Sequence, residues 1–212
     1  MKAVIHNGAS NMHETGRTNN WTDVSCSAHK LHLAVTGAIG VDKVSNLTIS
    51  KCVRAANRLV GHLSHSPLAT MELKKRQQQM GVIRENGQPL HLVQYVKTRW
   101  NSVHDMLQRL VKLCWPVVAV LSVVKQQDAK TLEMRDEYWS LMSDLLPVLQ
   151  PLQIVTELLC AEKSTSASVV YPLMYKLVNV DMAESDDDAA TVRDLQARHK
   201  ESAGRPLCTE PI

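Results

Sequence analysis

Apolar residues at helical spacing occupy most of this chain, and this pattern constrains the fold more than any other feature. Val, Ile, Leu and Ala recur at intervals of three and four positions over residues 41–65, 100–125 and 132–161. Such spacing places apolar side chains on one face of a helix, and that face is stable only when it is buried against a core. The sequence therefore predicts that the chain is helical from about residue 41 onward.

Serine, proline and glycine mark the expected ends of the first long helices. Ser66 followed by Pro67 is a favourable helix start, and this helix should run to Gly81. Residues 82–98 contain an Asn-Gly pair and a proline, so we expect them to be irregular. The next helix should begin near Trp100.

Prolines inside the later helical stretches predict breaks. Pro116 should kink the helix over residues 100–125 or split it in two, because proline has no backbone N–H to donate. Pro147 and Pro151 predict a break near Leu146 and a restart with Pro147 in the first turn.

The last part of the chain carries two more helix signals and an irregular end. A helix should begin at Ser166 or Ser168 and run to about Met182. The Ser-Asp-Asp-Asp run at 185–188, next to Glu184, favours the start of a last helix that reaches about His199.

The first forty residues have a different character. The aliphatic residues 3–5 predict a short strand, residues 13–23 a polar loop, and residues 23–26 a second short strand. A helix should follow from Ser27 and end near Gly37 or Gly40.

The predicted fold class is therefore α+β or mainly α, with a lopsided layout. A small α/β piece covers residues 1–40, a run of helices covers 41–202, and residues 203–212 form a frayed tail. No internal repeat or low-complexity tract interrupts this order.

Composition narrows the class of protein. With 44% hydrophobic and 21% charged residues the chain is typical of globular proteins, and its net charge of +3 alone gives little reason to propose nucleic-acid binding. We find neither a signal peptide nor an apolar run of about 20 residues, so we expect no membrane contact. The five scattered cysteines, an odd number, predict reduced thiols in the cytosol or nucleus.

The residues that follow the first predicted strand are a candidate functional position. Enzymes often place a carboxylate at such a strand end, but here the residue is Asn7, which carries no charge. Asn7 precedes Gly8, and Asn-Gly also favours a turn with positive φ. The position is thus either an ordinary turn or an acid position whose acid is missing, and the two interpretations are compatible.

Two further clusters have both a binding and a structural interpretation. Cys26 and His29, spaced as Cys-x-x-His, fit a zinc site only if two more ligands join them, and His32 and His6 are the nearby choices. The basic run at 74–76, which is Lys74, Lys75 and Arg76, is either a solvated helix face or a weak phosphate contact.

Four segments in unbroken order carry a family resemblance. They are AVIHNGASNM, WTDVSCSAHKLHLAV, KTRWNSVHDMLQRL and DLLPVLQPLQIVTELLCAEKSTSASVVYPLMYKL. Together they resemble the hAT transposase superfamily, most closely its host-adopted members with a BED-type zinc finger. The resemblance implies a ribonuclease-H-like core, part of which lies in residues 1–40, interrupted by a helical insertion that begins near residue 41.

The resemblance gives Asn7 a specific meaning. Asn11 and Met12 match the family segment, and Asn7 falls on its catalytic aspartate. These enzymes hold two divalent metal ions with three carboxylates, and a neutral amide should not support that arrangement. The other two acids are expected before Met1 and after Ile212, so we expect a non-catalytic chain with no cofactor and no bound metal.

The resemblance also places the remaining motif residues. Cys26 and His29 match the Cys-x-x-His signature between strand and helix, and Arg99 and Trp100 match the Arg-Trp pair at the insertion. In active members that aromatic ring is thought to stack on a base flipped out of the DNA. For this chain we favour packing of Trp100 against the core.

The expected role is that of a scaffold in a nuclear, DNA-associated protein. Contact with DNA or chromatin, and self-association into a homo-oligomer, would come from regions outside this chain. The rival interpretations are a helical protein-interaction module without a DNA role, a Mg²⁺-dependent transposase or nuclease that is active only in a longer form, and a chain that does not fold.

Overall fold

The computed structural model describes residues 2–40, 47–123, 132, 134–161, 167–181 and 190–203. Within these ranges the protein is mostly helical, with two short parallel strands that pair with each other. This confirms the predicted class of α+β or mainly α. No described helix combines the length and the apolar character needed to cross a bilayer.

The chain begins with a β-α-β unit. Strand β1 (Ala3–His6) pairs in parallel with strand β2 (Thr22–Ser25), and helix α1 (Ser10–Asn19) connects them. The predicted polar loop over residues 13–23 is therefore wrong. Helix α1 lacks an apolar stripe, but two parallel strands need a crossover connection, which is usually a helix.

The next helices follow the sequence signals closely. Helix α2 (Ser27–Ile39) ends at Gly40, which adopts the left-handed conformation. Gly40 is one of the two predicted ends of this helix. Helix α3 (Leu47–His65) is followed by α4 (Pro67–Met80). The Ser66 hydroxyl accepts a hydrogen bond from the Ala69 N–H at 3.3 Å, which confirms the predicted cap.

The region after α4 is irregular, as predicted. Residues 82–98 contain only an isolated bridge between Ile83 and Pro89. Helix α5 (Asn101–Lys112) and helix α6 (Cys114–Leu121) then meet at Leu113, so the expected helix is split. Pro116 lies in the first turn of α6, where a backbone N–H has no partner within the helix.

The predicted break near Leu146 is wrong. Helix α7 (Asp136–Cys160) runs without interruption through Pro147 and Pro151. Leu145, Val148, Leu149 and Leu152 are all buried around these prolines. Burial of residues before and after the prolines keeps the helix axis continuous, although the prolines cannot donate backbone hydrogen bonds.

The last described elements agree in part with the sequence signals. Helix α8 (Ala167–Lys176) continues into a π-helical segment (Leu177–Asp181), and helix α9 (Ala190–Ala203) follows later in the chain. Ser168 lies in α8, one residue after its start. Ser166, Met182, residues 184–188 and residues 204–212 lie outside the described residues, so those predictions are not tested.

One hydrophobic core joins the helices. Helix α5 packs on α7, α9 packs on α2, and α4 packs on α6. Buried side chains from α2 to α9 form a continuous cluster that includes Leu31 and Val35 of α2 together with Leu149 of α7. The end of the β-α-β unit is thus tied to the helical body through α2.

Candidate functional site at the ends of the parallel strands

The carboxyl ends of β1 and β2 lie side by side. His6 is paired with Ser25 in the parallel register, and the Cys26 N–H donates a hydrogen bond to the His6 carbonyl at 2.8 Å. The side chains that leave the two strands therefore meet at one edge of the sheet. This edge is a common place for ligand-binding groups in sheets of parallel strands.

Asn7 forms a local turn at this edge. Its side chain is exposed, and its Oδ1 accepts a hydrogen bond from the Ala9 N–H at 3.3 Å. Gly8 follows with a φ of 86°, a conformation that glycine adopts without steric cost. Asn11, the second residue of α1, is exposed, and its carbonyl accepts a hydrogen bond from the Thr15 hydroxyl.

Three side chains that the sequence interpretation did not bring together meet beside Asn7. They are His6 on β1, His13 on α1 and Asp23 on β2. One atom of each, an imidazole nitrogen or a carboxylate oxygen, can be chosen so that all three lie within 4.8 Å of one another. The two imidazole rings form a T-shaped pair, with centroids 4.3 Å apart and planes at 82°.

The strand register and the crossover helix together create this cluster. Side chains alternate between the two faces of a strand, so Val4 and His6 share a face of β1. Val4 pairs with Asp23, which puts Asp23 on the same face. Helix α1 covers that face through Gly16, where an added Cβ would lie 3.5 Å from Val4 Cγ1. His13 lies one turn before Gly16 and so faces the sheet.

A hydrogen bond from the backbone sets the tautomer of neutral His6. His6 Nδ1 accepts a hydrogen bond from the Gly8 N–H at 2.9 Å, so the neutral His6 ring carries its proton on Nε2. His6 Nε2 then donates to one oxygen of Asp23, and His13 Nδ1 contacts the other oxygen. The hydrogen bond from His6 holds the pKa of Asp23 below its usual value, with a further contribution from His13.

Burial is uneven across the cluster. The side chain of His6 is only 2% exposed, whereas those of His13 and Asp23 are 49% and 39% exposed. The cluster is thus anchored at His6 and open to solvent at the other two residues. A small ion or molecule can reach it from that side.

The Cys-x-x-His residues do not form a comparable cluster. Cys26 and His29 are half-buried, and the His29 ring stacks near the His32 ring with centroids 6.1 Å apart. Burial and the charge of His29 lower the pKa of His32. Among the described residues, the single metal-type group contains His6 but neither Cys26 nor His29.

Trp100 lies in the core, far from the solvent. It is 1% exposed at the start of α5, while the neighbouring Arg99 is exposed. A buried indole ring is not available to stack on a base in this conformation. The burial favours the packing interpretation of the Arg99–Trp100 pair.

The basic residues of α4 are largely occupied by one carboxylate. Arg76 Nε donates to Glu72 at 2.8 Å, and Lys75 Nζ lies 3.8 Å from the same carboxylate. Lys74 is exposed. Since Glu72 offsets part of the positive charge, this helix face is a weak candidate for phosphate contact.

Helix α1 explains why the sequence interpretation missed His13 and Asp23. A loop over residues 13–23 gives His13 no defined face. The two short strands are predicted without a pairing, so Asp23 has no register with His6. Histidine and glycine three residues apart between two short strands were the available signal.

No protein-family model matches the chain, and neither does any curated protein.

Proposed function

We propose that this chain is a non-catalytic piece of a host-adopted hAT-type transposase and serves as a scaffold in a nuclear, DNA-associated protein of the BED-finger group. In this proposal the β-α-β unit belongs to a ribonuclease-H-like core, and the helices from α3 onward belong to its helical insertion. DNA or chromatin contact and self-association come from regions outside this chain.

Asn7 is the observation that carries the proposal. It stands at the end of β1, where the resemblance expects a metal-binding aspartate, and it is a neutral amide. Its oxygen already accepts a hydrogen bond from the Ala9 N–H. Mg²⁺ prefers anionic oxygen ligands, so this position lacks the charge that two-metal phosphoryl transfer requires.

The exposed face of the two-stranded sheet supports the proposal that the β-α-β unit belongs to a larger core. Parallel sheets are normally covered on both faces, whereas Ile5 is 69% and Val24 is 39% exposed on the face opposite α1. Both side chains are apolar and lie at adjacent, paired positions. Further sheet or helix packed against this face would bury them.

A cleavage assay tests the catalytic part of the proposal. The chain, and the longest natural form of the protein that contains it, should leave labelled DNA intact in the presence of Mg²⁺ or Mn²⁺. In the longest form, the DNA cleavage by the Asn7→Asp variant should be compared with that of Asn11→Asp, which is the matched control. Cleavage by the unaltered protein would show that Asn7 does not disable it.

Exposed apolar side chains on α4 and α6 favour a second candidate, a protein-interaction module without a DNA role. Leu68 and Met71 of α4 are 71% and 62% exposed, and Trp115 of α6 is 75% exposed, on helices that pack together. Recovery of partners from nuclear extract before and after nuclease treatment separates the two candidates. Partners that persist without nucleic acid favour the interaction module.

A further inference from the structure

We propose that His6, His13 and Asp23 form a binding site for one divalent transition-metal ion of the Zn²⁺ class. The ligand atoms would be His6 Nε2, His13 Nδ1 and one carboxylate oxygen of Asp23. This inference does not depend on the function proposed above, because it concerns ion binding and not DNA cleavage.

The type of donor atom selects the metal class. Two imidazole nitrogens and one carboxylate suit Zn²⁺, Co²⁺ and related ions, whereas Mg²⁺ prefers an all-oxygen shell. Three protein ligands leave a fourth position for water in a tetrahedral zinc site. The exposed sides of His13 and Asp23 provide room for that water.

The fold already brings the three ligand residues close together. Their ligand atoms already lie within 4.8 Å of one another, and bonds to Zn²⁺ are about 2.0–2.2 Å long. Rotation of the three side chains would point these atoms at one ion. The ion would join β1, α1 and β2, which are the three elements of the β-α-β unit.

Binding of Zn²⁺ should move the His6 proton and change the hydrogen bond of the Gly8 N–H. In the metal-free arrangement the His6 proton is on Nε2, because Nδ1 accepts from the Gly8 N–H. Coordination through Nε2 requires this proton to move to Nδ1, and the Gly8 N–H then loses its acceptor. A Cβ added at Gly8 would meet no heavy atom within 4 Å and the residue is exposed, so this turn has room to reorient.

Metal titration of the full chain tests the site. Protein stripped with a chelator should take up one Co²⁺ per molecule, seen as visible absorption, and one Zn²⁺, measured by calorimetry. His13→Ala and Asp23→Asn should each weaken the affinity for Zn²⁺ by about tenfold or more. Loss of an outer-shell partner of a metal ligand already costs about 10–100-fold, and these residues are ligands. Asp23→Asn keeps the side-chain shape and so limits effects on folding.

Two control variants distinguish the site from other histidines. His65→Ala removes an exposed histidine at the end of α3, and His29→Ala removes the Cys-x-x-His candidate. Both should bind Zn²⁺ as the unaltered chain does. Zn²⁺ binding that survives His13→Ala and Asp23→Asn but is lost in His29→Ala would overturn the proposal, as would no uptake at all.

A nuclear magnetic resonance measurement provides a second readout on the unaltered chain. Zn²⁺ should shift the Gly8 amide signal, because its hydrogen bond to His6 is lost, and the His13→Ala variant should show no such shift. A Gly8 signal that stays unchanged at saturating Zn²⁺ would contradict coordination through His6 Nε2. Zn²⁺ uptake without DNA cleavage leaves the non-catalytic proposal intact, so the two proposals can fail separately.

Discussion

Trp100 and Trp115 are the same residue type in opposite environments. Trp100 is 1% exposed and packs in the main core, whereas Trp115 is 75% exposed on α6. The indole Nε1 of Trp100 has no hydrogen-bond partner within the described part of the chain. Its contribution to the protein is therefore the packing of its rings and not a polar contact.

Trp100→Ala should lower the free energy of unfolding by about 3–5 kcal/mol, since it leaves a large cavity. Trp100→Phe should cost much less, because it keeps an aromatic ring and removes a buried, unpaired N–H. Trp115→Ala is the control and should stay within about 0.5 kcal/mol. Urea unfolding followed by circular dichroism measures all three. Equal losses for the two alanine variants would contradict the burial described for Trp100.

The cysteines also differ by environment. Cys52 is buried in α3, and its thiol lies 3.7 Å from the Tyr138 carbonyl, while Cys160 is exposed at the end of α7. Burial raises the pKa of Cys52 to about 12. Because the thiolate is the reactive form, Cys52 should stay unreactive over the ordinary range of pH.

Iodoacetamide should therefore label Cys160 in the native protein and leave Cys52 unlabelled. Raising the pH from about 7 to about 9 should not increase the labelling of Cys52, since its thiol stays protonated below its raised pKa. Unfolding in urea should expose Cys52 and make it react. Peptide mass spectrometry measures each site, and labelling of native Cys52 as fast as Cys160 would refute this assignment.

At the scale of elements, the irregular segment over residues 82–98 is held by side chains from the helices on either side of it. Gln77 of α4 is buried, and its amide donates to the Leu90 carbonyl at 3.0 Å and accepts from the Leu90 N–H at 2.7 Å. The Ser102 hydroxyl of α5 accepts from the Val96 N–H at 2.8 Å. These contacts give hydrogen-bond partners to backbone groups of Leu90 and Val96, which lie outside the bridge between Ile83 and Pro89.

Gln77→Ala should lower the free energy of unfolding by about 2–4 kcal/mol, because two buried backbone groups of Leu90 lose their partner. Gln78→Ala changes an exposed neighbour on the same helix and should cost no more than about 0.5 kcal/mol. Hydrogen exchange should also speed up at Leu90 in the first variant alone. Similar stability for both variants would show that Gln77 does not hold the segment.

At the scale of the whole molecule, the helices form one body. The core cluster is continuous from α2 to α9, and α2 packs on both α7 and α9. The predicted boundary near residue 40 thus falls just after a helix that shares its core with the later elements. Elements that share one core are expected to unfold together.

Thermal unfolding of the full chain should show a single cooperative transition. Circular dichroism, which reports the helices, and tryptophan fluorescence, which reports the four tryptophans including buried Trp100, should give the same midpoint. Separate transitions would favour an independently folding piece over residues 1–40. A gradual loss of signal would favour a chain without a fixed fold.

Much of the helical part could be predicted from local signals. Ser66, Pro67 and Gly81 set the ends of α4 because capping and the left-handed glycine act within one turn of the chain. Helix α1 could not be predicted in this way. Its residues are polar nearly all round, and it forms as the connection between two parallel strands. The continuous helix α7 likewise depends on burial on both sides of Pro147 and Pro151.

The sequence by itself determined the helical class, most helix ends and the neutral residue at position 7, because these depend on residue type and short spacing. Only the tertiary structure decided that His6, His13 and Asp23 meet, since that depends on the parallel register of β1 and β2 and on the face of α1 that covers them. It also decided that Trp100 is buried and Trp115 is not, because burial depends on which helices pack together.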